Sequence, residues 1–211
     1  MANAIEVPTW LEWAREIQAL AQTGKRYALN DFQTERYDRL EEIAAEIVAG
    51  ANGLEAESIA RDFKAQTGYA TPRIDVRGAV FHDNKLLMVR ERLDGGWTMP
   101  GGWADVGDVP SQAAEREVWE EAGFRVKARK VVGVYDANRV EGWISLYHSY
   151  KLVFLCEIVG GEASPSNETS EVSFFGAGEI PSNLSVERTP PRIIRDAFRV
   201  LEEPDCPTMF D

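Results

Sequence analysis

Apolar residues recur at helical spacing through the first third of the chain and then switch to strand-like alternation. After Pro8-Thr9, the residues Trp10, Trp13, Ile17, Leu20 and Ala21 follow one another at intervals that keep them on one side of a helix ending near Gly24. Asp31 to Val48 repeats the pattern, with Tyr37, Leu40, Ile43, Ala44 and Ile47 on one side, and Glu55 to Gln66 predicts a third, shorter helix. Residues 1–67 therefore predict a small helical N-terminal domain. It offers too little apolar surface to be stable without docking on something else. Trp10, Trp13 and Tyr37 are its candidate contacts with a second copy of the chain, the alternative being packing within their own chain.

The composition changes at Gly68-Tyr69-Ala70-Thr71-Pro72, and residues 68–211 predict a second domain. Ile74 to His82 and Lys85 to Arg92 read as two strands joined by a turn at Asp83-Asn84. Trp97-Thr98-Met99 leads into Pro100-Gly101-Gly102, and further strands are expected over Val131 to Tyr135, Ser145 to Val159 and Glu171 to Phe175. A helix over Arg188 to Leu201 precedes an acidic, proline-containing tail. No internal repeat is evident. The expectation is an α/β domain with a mixed sheet flanked by helices.

Between these strands lies Gly101 to Phe124, GGWADVGDVPSQAAEREVWEEAGF. Each helical residue advances by roughly 100°, so Glu117, Glu120 and Glu121 share one face of a helix while Val118 and Ala122 point elsewhere. Three carboxylates on one face repel unless they are well solvated or neutralised by a cation. Hard oxygen donors gathered in this way suit Mg2+ or Mn2+; a wet acidic surface is the plainer alternative.

The frame around the carboxylates decides between the two. Gly102 is followed by five residues, Asp108, seven residues and then Arg116-Glu117-Val118-Trp119-Glu120-Glu121-Ala122-Gly123-Phe124. A chance match of this kind is expected on the order of once in a million such chains from average residue usage. The pattern closely resembles the signature of the Nudix hydrolases, with Asp108 standing where that signature has glutamate. The resemblance implies a Nudix-type α/β/α sandwich, with the signature forming a loop, a helix and a loop. It also implies hydrolysis of a diphosphate that joins a nucleoside to a second group.

Carried over residue by residue, the resemblance makes Glu117, Glu120 and Glu121 metal ligands, together with a carbonyl at Gly101. Arg116 then orients a glutamate by a charge-assisted hydrogen bond. The general base in that family lies on the signature helix or on a later loop; here Glu168 and Glu171 are the loop candidates, with Glu171 preferred. Arg116, Glu117, Glu120 and Glu171 thus form the expected catalytic set. Arg77 and Arg90 are the candidates for binding the diphosphate, the alternative being exposed strand charges, and Trp97, Trp103 and Tyr135 either stack on a base or pack the core and loops. His82 and His148 lack partners at ligand spacing, read as structural or exposed, and are assigned no catalytic role. Asp108 is either metal-related or a helix-entry residue ahead of Pro110.

The segments WLEWAREIQALAQTG at 10–24, YALNDFQTERY at 27–37 and GYATPRIDVRG at 68–78 are similar to a bacterial Nudix subgroup with a helical N-terminal extension. Its members are often labelled ADP-ribose or CDP-choline pyrophosphatases, and CDP-choline is placed first on this likeness. The competing readings are a Nudix-fold nucleotide sensor without turnover and an RNA-end or exonucleolytic hydrolase.

Charge and composition narrow the partners. A net charge of −12 disfavours an extended nucleic-acid surface, so a phosphate-bearing substrate must be small or bridged by metal. The longest apolar run, Leu152 to Val159, is interrupted by Glu157 and too short to cross a bilayer. The N-terminus lacks a basic region followed by an apolar stretch, and Cys156 and Cys206 are distant from each other. These features predict a cytoplasmic protein with ordinary thiols, and the helical extension suggests a homodimer.

Overall fold

A computed structural model describes residues 7–138 and 146–211. The described residues up to Pro72, together with Leu146, Tyr147 and His148, make one compact unit, and the remainder from Arg73 onward makes the other.

The helical unit holds α1 (Thr9–Arg26), α2 (Asp31–Asn52) and α3 (Ala56–Ala65). Asn30 caps α2, its side-chain oxygen accepting from the Gln33 N–H at 3.0 Å. The buried contact runs through small residues, Ala14 on α1 against Ala44, Ala45 and Ala49 on α2, and Ile59 and Phe63 of α3 close it. Burying a Phe63-sized side chain contributes roughly 1.5–3 kcal/mol. Leu146 and Tyr147 pack on this cluster: the Tyr147 ring meets Phe63 edge-on at 6.2 Å, and Arg15 Nε donates to the Leu146 carbonyl at 2.9 Å. The strand expected from Ser145 therefore begins at Ser149, because the apolar side chains just before it serve the helical core. Ser145 itself lies outside the described residues.

Among the described residues the second unit holds an eight-stranded mixed sheet. Its strands are β1 (Arg73–His82), β2 (Lys85–Glu91), β3 (Trp97–Thr98), β4 (Gly101–Trp103), β5 (Phe124–Asp136), β6 (Ser149–Gly161), β7 (Thr169–Phe175) and β8 (Met209–Phe210). They run in the order β3-β2-β1-β6-β5-β8, with β4 also pairing β1 and β7 pairing β2. The β1–β2 hairpin turns through Asp83 and Asn84, both with positive φ (49° and 59°), as a two-residue hairpin requires. β5 is much longer than its apolar stretch predicts, since Lys127, Ala128 and Lys130 still pair against β6 through a ladder that bulges at Arg129. The acidic tail also ends in a strand, with Met209 and Phe210 adding in parallel to β5.

One helix covers each face of the sheet. α5 (Pro191–Glu202) seals a core of Ala79, Met88, Met99, Val132, Tyr135 and Val153. On the opposite face α4 (Pro110–Ala122) sets Ala113, Ala114, Val118 and Ala122 against Val76, Val80, Leu87 and Val89. Gly78 lets α4 approach this closely, because a Cβ there would lie 2.4 Å from Val118 Cγ2. The expected α/β/α sandwich with a preceding helical part is the architecture found.

Candidate active site

The apolar face of α4 faces the sheet, which fixes where its acidic face points. Val118 and Ala122 are buried, and Glu121 between them is drawn in as well, at 6% exposure. Glu117 is largely shielded and Glu120 is exposed. Glu121 Oε2 accepts a hydrogen bond from the Gly101 N–H at 2.9 Å. Burial pushes the Glu121 carboxyl up to about 7, the nearby Arg77 charge and the Gly101 N–H opposing that shift and the Glu91 and Glu117 carboxylates adding to it. Burial also raises Glu117 above its usual range.

The loop before α4 is built around its glycines. Gly101 has φ +148°, and a Cβ there would sit 2.1 Å from the Val76 carbonyl oxygen. At Gly102 a Cβ would sit 2.8 Å from Glu117 Oε2. Bare backbone therefore lies directly beside two of the carboxylates. The turn leading in is held from outside: Met99 N donates to Thr189 Oγ1 at 3.0 Å and Gly78 N donates to the Pro100 carbonyl at 2.9 Å.

Arg116 organises the exposed side of the site. Its Nη1 pairs with Glu117 Oε1 at 2.8 Å and Glu120 Oε2 at 3.1 Å, and its Nη2 with Asp108 Oδ2 at 3.1 Å. The Asp108 carboxylate also accepts from the Asp105 N–H at 3.1 Å, and these two donors hold its pKa below the usual range. The shorter side chain at this position is thus spent on the loop and on Arg116.

The remaining sequence candidates fall in different places. Arg77 is buried, at 3% exposure, with Nε and Nη2 on the two Asp75 oxygens at 2.9 and 2.7 Å and Nη1 on the Met99 carbonyl at 3.3 Å. It is therefore neither an exposed strand charge nor open to a ligand. Arg90 and Glu171 face each other across β2 and β7 and form an exposed ion pair at 2.6 Å. Trp97 and Tyr135 are core residues, the Tyr135 hydroxyl lying 3.0 Å from Asp196 Oδ2, whereas Trp103 is exposed. In the helical unit Trp10 and Tyr37 are half-buried, the Tyr37 ring lying over Gly24, while Trp13 is 59% exposed.

Sequence reasoning missed Glu91, a carboxylate at the end of β2. It is nearly buried, its pKa is raised by that burial, and Arg188, Arg77, Asp94 and Glu168 all act on its charge. Arg188 Nε lies 3.4 Å from Glu91 Oε1. The loop carrying Glu168 is tied to the end of α4, with Thr169 Oγ1 donating to the Glu121 carbonyl at 2.8 Å and Ser164 N to that of Ala122 at 3.0 Å. No sequence spacing announces Glu91; only the pairing of β2 within the sheet does.

The donor set suits a hard divalent cation. Glu117, Glu121 and the Gly101–Gly102 backbone offer oxygen atoms at a place where neighbouring carboxylates are shielded from water and repel one another, an arrangement a cation relieves. Among the described residues no three acidic, histidine or cysteine side chains stand grouped so as to hold a metal ion by themselves. Arg116 draws Glu117 and Glu120 toward itself, and it supplies the positive charge on that side.

Known proteins resemble this chain in both of its parts. Residues 71–197 match the NUDIX domain model, and residues 8–63 match a model described as a UDP-X-like, N-terminal oligomerisation domain. YjhB of Bacillus subtilis (strain 168), provisionally named an ADP-ribose pyrophosphatase, is 35% identical over 98% of this chain and 100% of its own. The crystal structure of a UDP-X diphosphatase covers 96% of this chain and 98% of its own at 28% identity, with a TM-score of 0.62. That of an ADP-ribose pyrophosphatase from Streptococcus suis 89-1591 covers 67% of this chain and 100% of its own at 33% identity, with a TM-score of 0.61. Signature, sandwich and relatives coincide, and the chain belongs to the Nudix hydrolase family, with a helical N-terminal domain of the UDP-X-like type.

Proposed function

We propose that this protein is a Mg2+-dependent pyrophosphohydrolase of nucleoside diphosphates linked to a second small group. The names of its relatives put ADP-ribose and UDP-linked compounds ahead of CDP-choline as substrates. The observation that carries the reading is the Glu121 carboxylate, buried beside Glu117 and Glu91 and held by the Gly101 N–H. Bound Mg2+ would shield the diphosphate oxygens and make water a better nucleophile; Mn2+ suits the same donors. Glu117, Glu121 and the Gly101 carbonyl would hold the ion, with Glu120 joining from the exposed side. Arg116 orients Glu117 and Glu120, and Asp108 orients Arg116.

For the general base the placement favours Glu168 over Glu171. Glu168 acts on Glu91, Glu91 acts on Glu121, and Thr169 anchors that loop to α4, whereas Glu171 is engaged by Arg90. Glu168 would take a proton from the attacking water. Arg77 would stabilise the site from behind, whereas Arg90 is engaged by Glu171 and the Gly95 carbonyl.

The helical domain supports a homodimer. Trp13 and Leu20 on α1, and Leu29 and Phe32 just beyond it, leave large apolar side chains exposed on a domain whose matching model is described by oligomerisation. Among the described residues no helix is long and apolar enough to cross a membrane; a cytoplasmic location remains part of this proposal.

The test is a product assay over ADP-ribose, UDP-linked sugars, CDP-choline and triphosphorylated RNA, with Glu121→Gln beside the parent protein. The variant should fold normally and lose Mg2+-dependent turnover. Full turnover in that variant refutes the metal assignment, and nucleotide binding without turnover in the parent protein identifies a sensor instead.

A further inference from the structure

Arg77 belongs to a cluster of charge that is sealed inside the sheet unit. Asp75 and Arg77 on β1 and Lys151 on β6 are each less than 5% exposed, and Lys151 Nζ lies 3.4 Å from the Asp75 oxygen that also holds Arg77 Nη2. Desolvating such ions is costly, and a well-packed apolar trio is often as stable or more so. Stability alone is therefore a weak reason for the cluster. Two cations against one carboxylate leave a surplus positive charge in the interior, and the Glu121 and Glu91 carboxylates are the further anions that act on Arg77.

The position of Arg77 gives a stronger reason. In the β1–β4 ladder it lies opposite Gly101, and its stem runs so close that a Cβ on Gly101 would meet Arg77 Cα at 2.8 Å and Cδ at 2.9 Å. One edge of the guanidinium is gripped by both Asp75 oxygens, which aims Nη1 at the Met99 carbonyl. Met99, Pro100 and Gly101 form the turn whose N–H holds Glu121. A planar fork fixed on one side and bonded to a turn on the other transmits geometry in a way that a lysine ammonium does not.

We propose that Arg77, clamped by Asp75, is a positioning residue that holds the Met99–Gly101 turn, and through the Gly101 N–H the Glu121 carboxylate, in place to receive the metal ion. This rests on the metal-dependent reading of the site. It gives Arg77 no contact with substrate.

The test uses the full-length protein, with Arg77→Lys, which keeps the charge and removes the fork, and Asp75→Asn, which keeps the shape and loosens the clamp from the other side. Mn2+ binding is followed by electron paramagnetic resonance without substrate, and kcat and KM are measured at saturating Mg2+, in variants shown to be folded by circular dichroism. Both variants should weaken Mn2+ binding on the order of 10- to 100-fold and lower kcat, with KM within about twofold, since lost positioning moves kcat while lost substrate contact moves KM. A raised KM with unchanged kcat and Mn2+ binding overturns the proposal in favour of direct substrate contact. Unchanged kcat and Mn2+ binding in either folded variant also overturns it, leaving the metal-dependent reading standing. A parent protein that binds no Mn2+ and hydrolyses no substrate overturns both.

Discussion

Placing a methyl group at Gly102 separates the site from the fold. The new Cβ would sit 2.8 Å from Glu117 Oε2 and 3.2 Å from its Cδ, and no backbone atom is among the three nearest. The obstacle is the end of a flexible side chain that can swing aside. Loss of unfolded-state freedom at a glycine returns about 0.4–1 kcal/mol, so Gly102→Ala should change stability by less than about 1 kcal/mol, or roughly 4 °C in Tm. The same substitution at Gly101 meets the Val76 carbonyl oxygen at 2.1 Å and forces alanine to φ +148°. Strain and overpacking there should together cost about 3 kcal/mol or more, a Tm loss of roughly 6–12 °C. In Gly102→Ala, however, Glu117 is driven off its position, and a displacement of about 1 Å at a reacting centre can cost on the order of 100-fold in rate. Thermal unfolding and steady-state hydrolysis of both variants check this. A Gly102→Ala protein with parental kcat and metal dependence would refute the assignment of Glu117 to the metal, and a Tm loss as large as that of Gly101→Ala would refute the packing argument.

Other outcomes follow from the same geometry. Glu168→Gln should lower kcat on the order of 100-fold or more, while Glu171→Gln, which breaks only an exposed ion pair, should leave kcat within about twofold; the reverse ranking in the hydrolysis assay returns the base to Glu171. Burial pushes the Cys156 thiol up from its ordinary value of 9.0 to about 12, so the unfolded chain ionises first as pH rises. The stability contributed by the neutral thiol is full below about pH 9 and falls between there and about pH 12. Urea midpoints across that range should drop less steeply for Cys156→Ala, and an identical slope would discard the idea. Charging the exposed stripe with Trp13→Glu and Leu20→Glu should convert a dimer to a monomer in light scattering, and a parental protein that is monomeric at all concentrations removes the dimer.

The family, the two-part organisation and the acidic helix were all legible in the order of residues. These depend on residue spacing along one element: apolar intervals of three and four, the Asp83-Asn84 turn, and the glycine, arginine and glutamate frame from Gly102 to Gly123. The three carboxylates were legible because a helix converts spacing into a shared face. Tertiary structure decided how unequal they are, since packing of Val118 and Ala122 on the sheet buries Glu121 and leaves Glu120 in water. It decided that Arg77 turns inward to Asp75 and that Arg90 and Glu171 hold each other. It also brought in Glu91 from β2 and set Leu146 and Tyr147 on the helices. Each of these depends on which strands become neighbours and on which side chains lose water when they do. Local spacing carries no record of either.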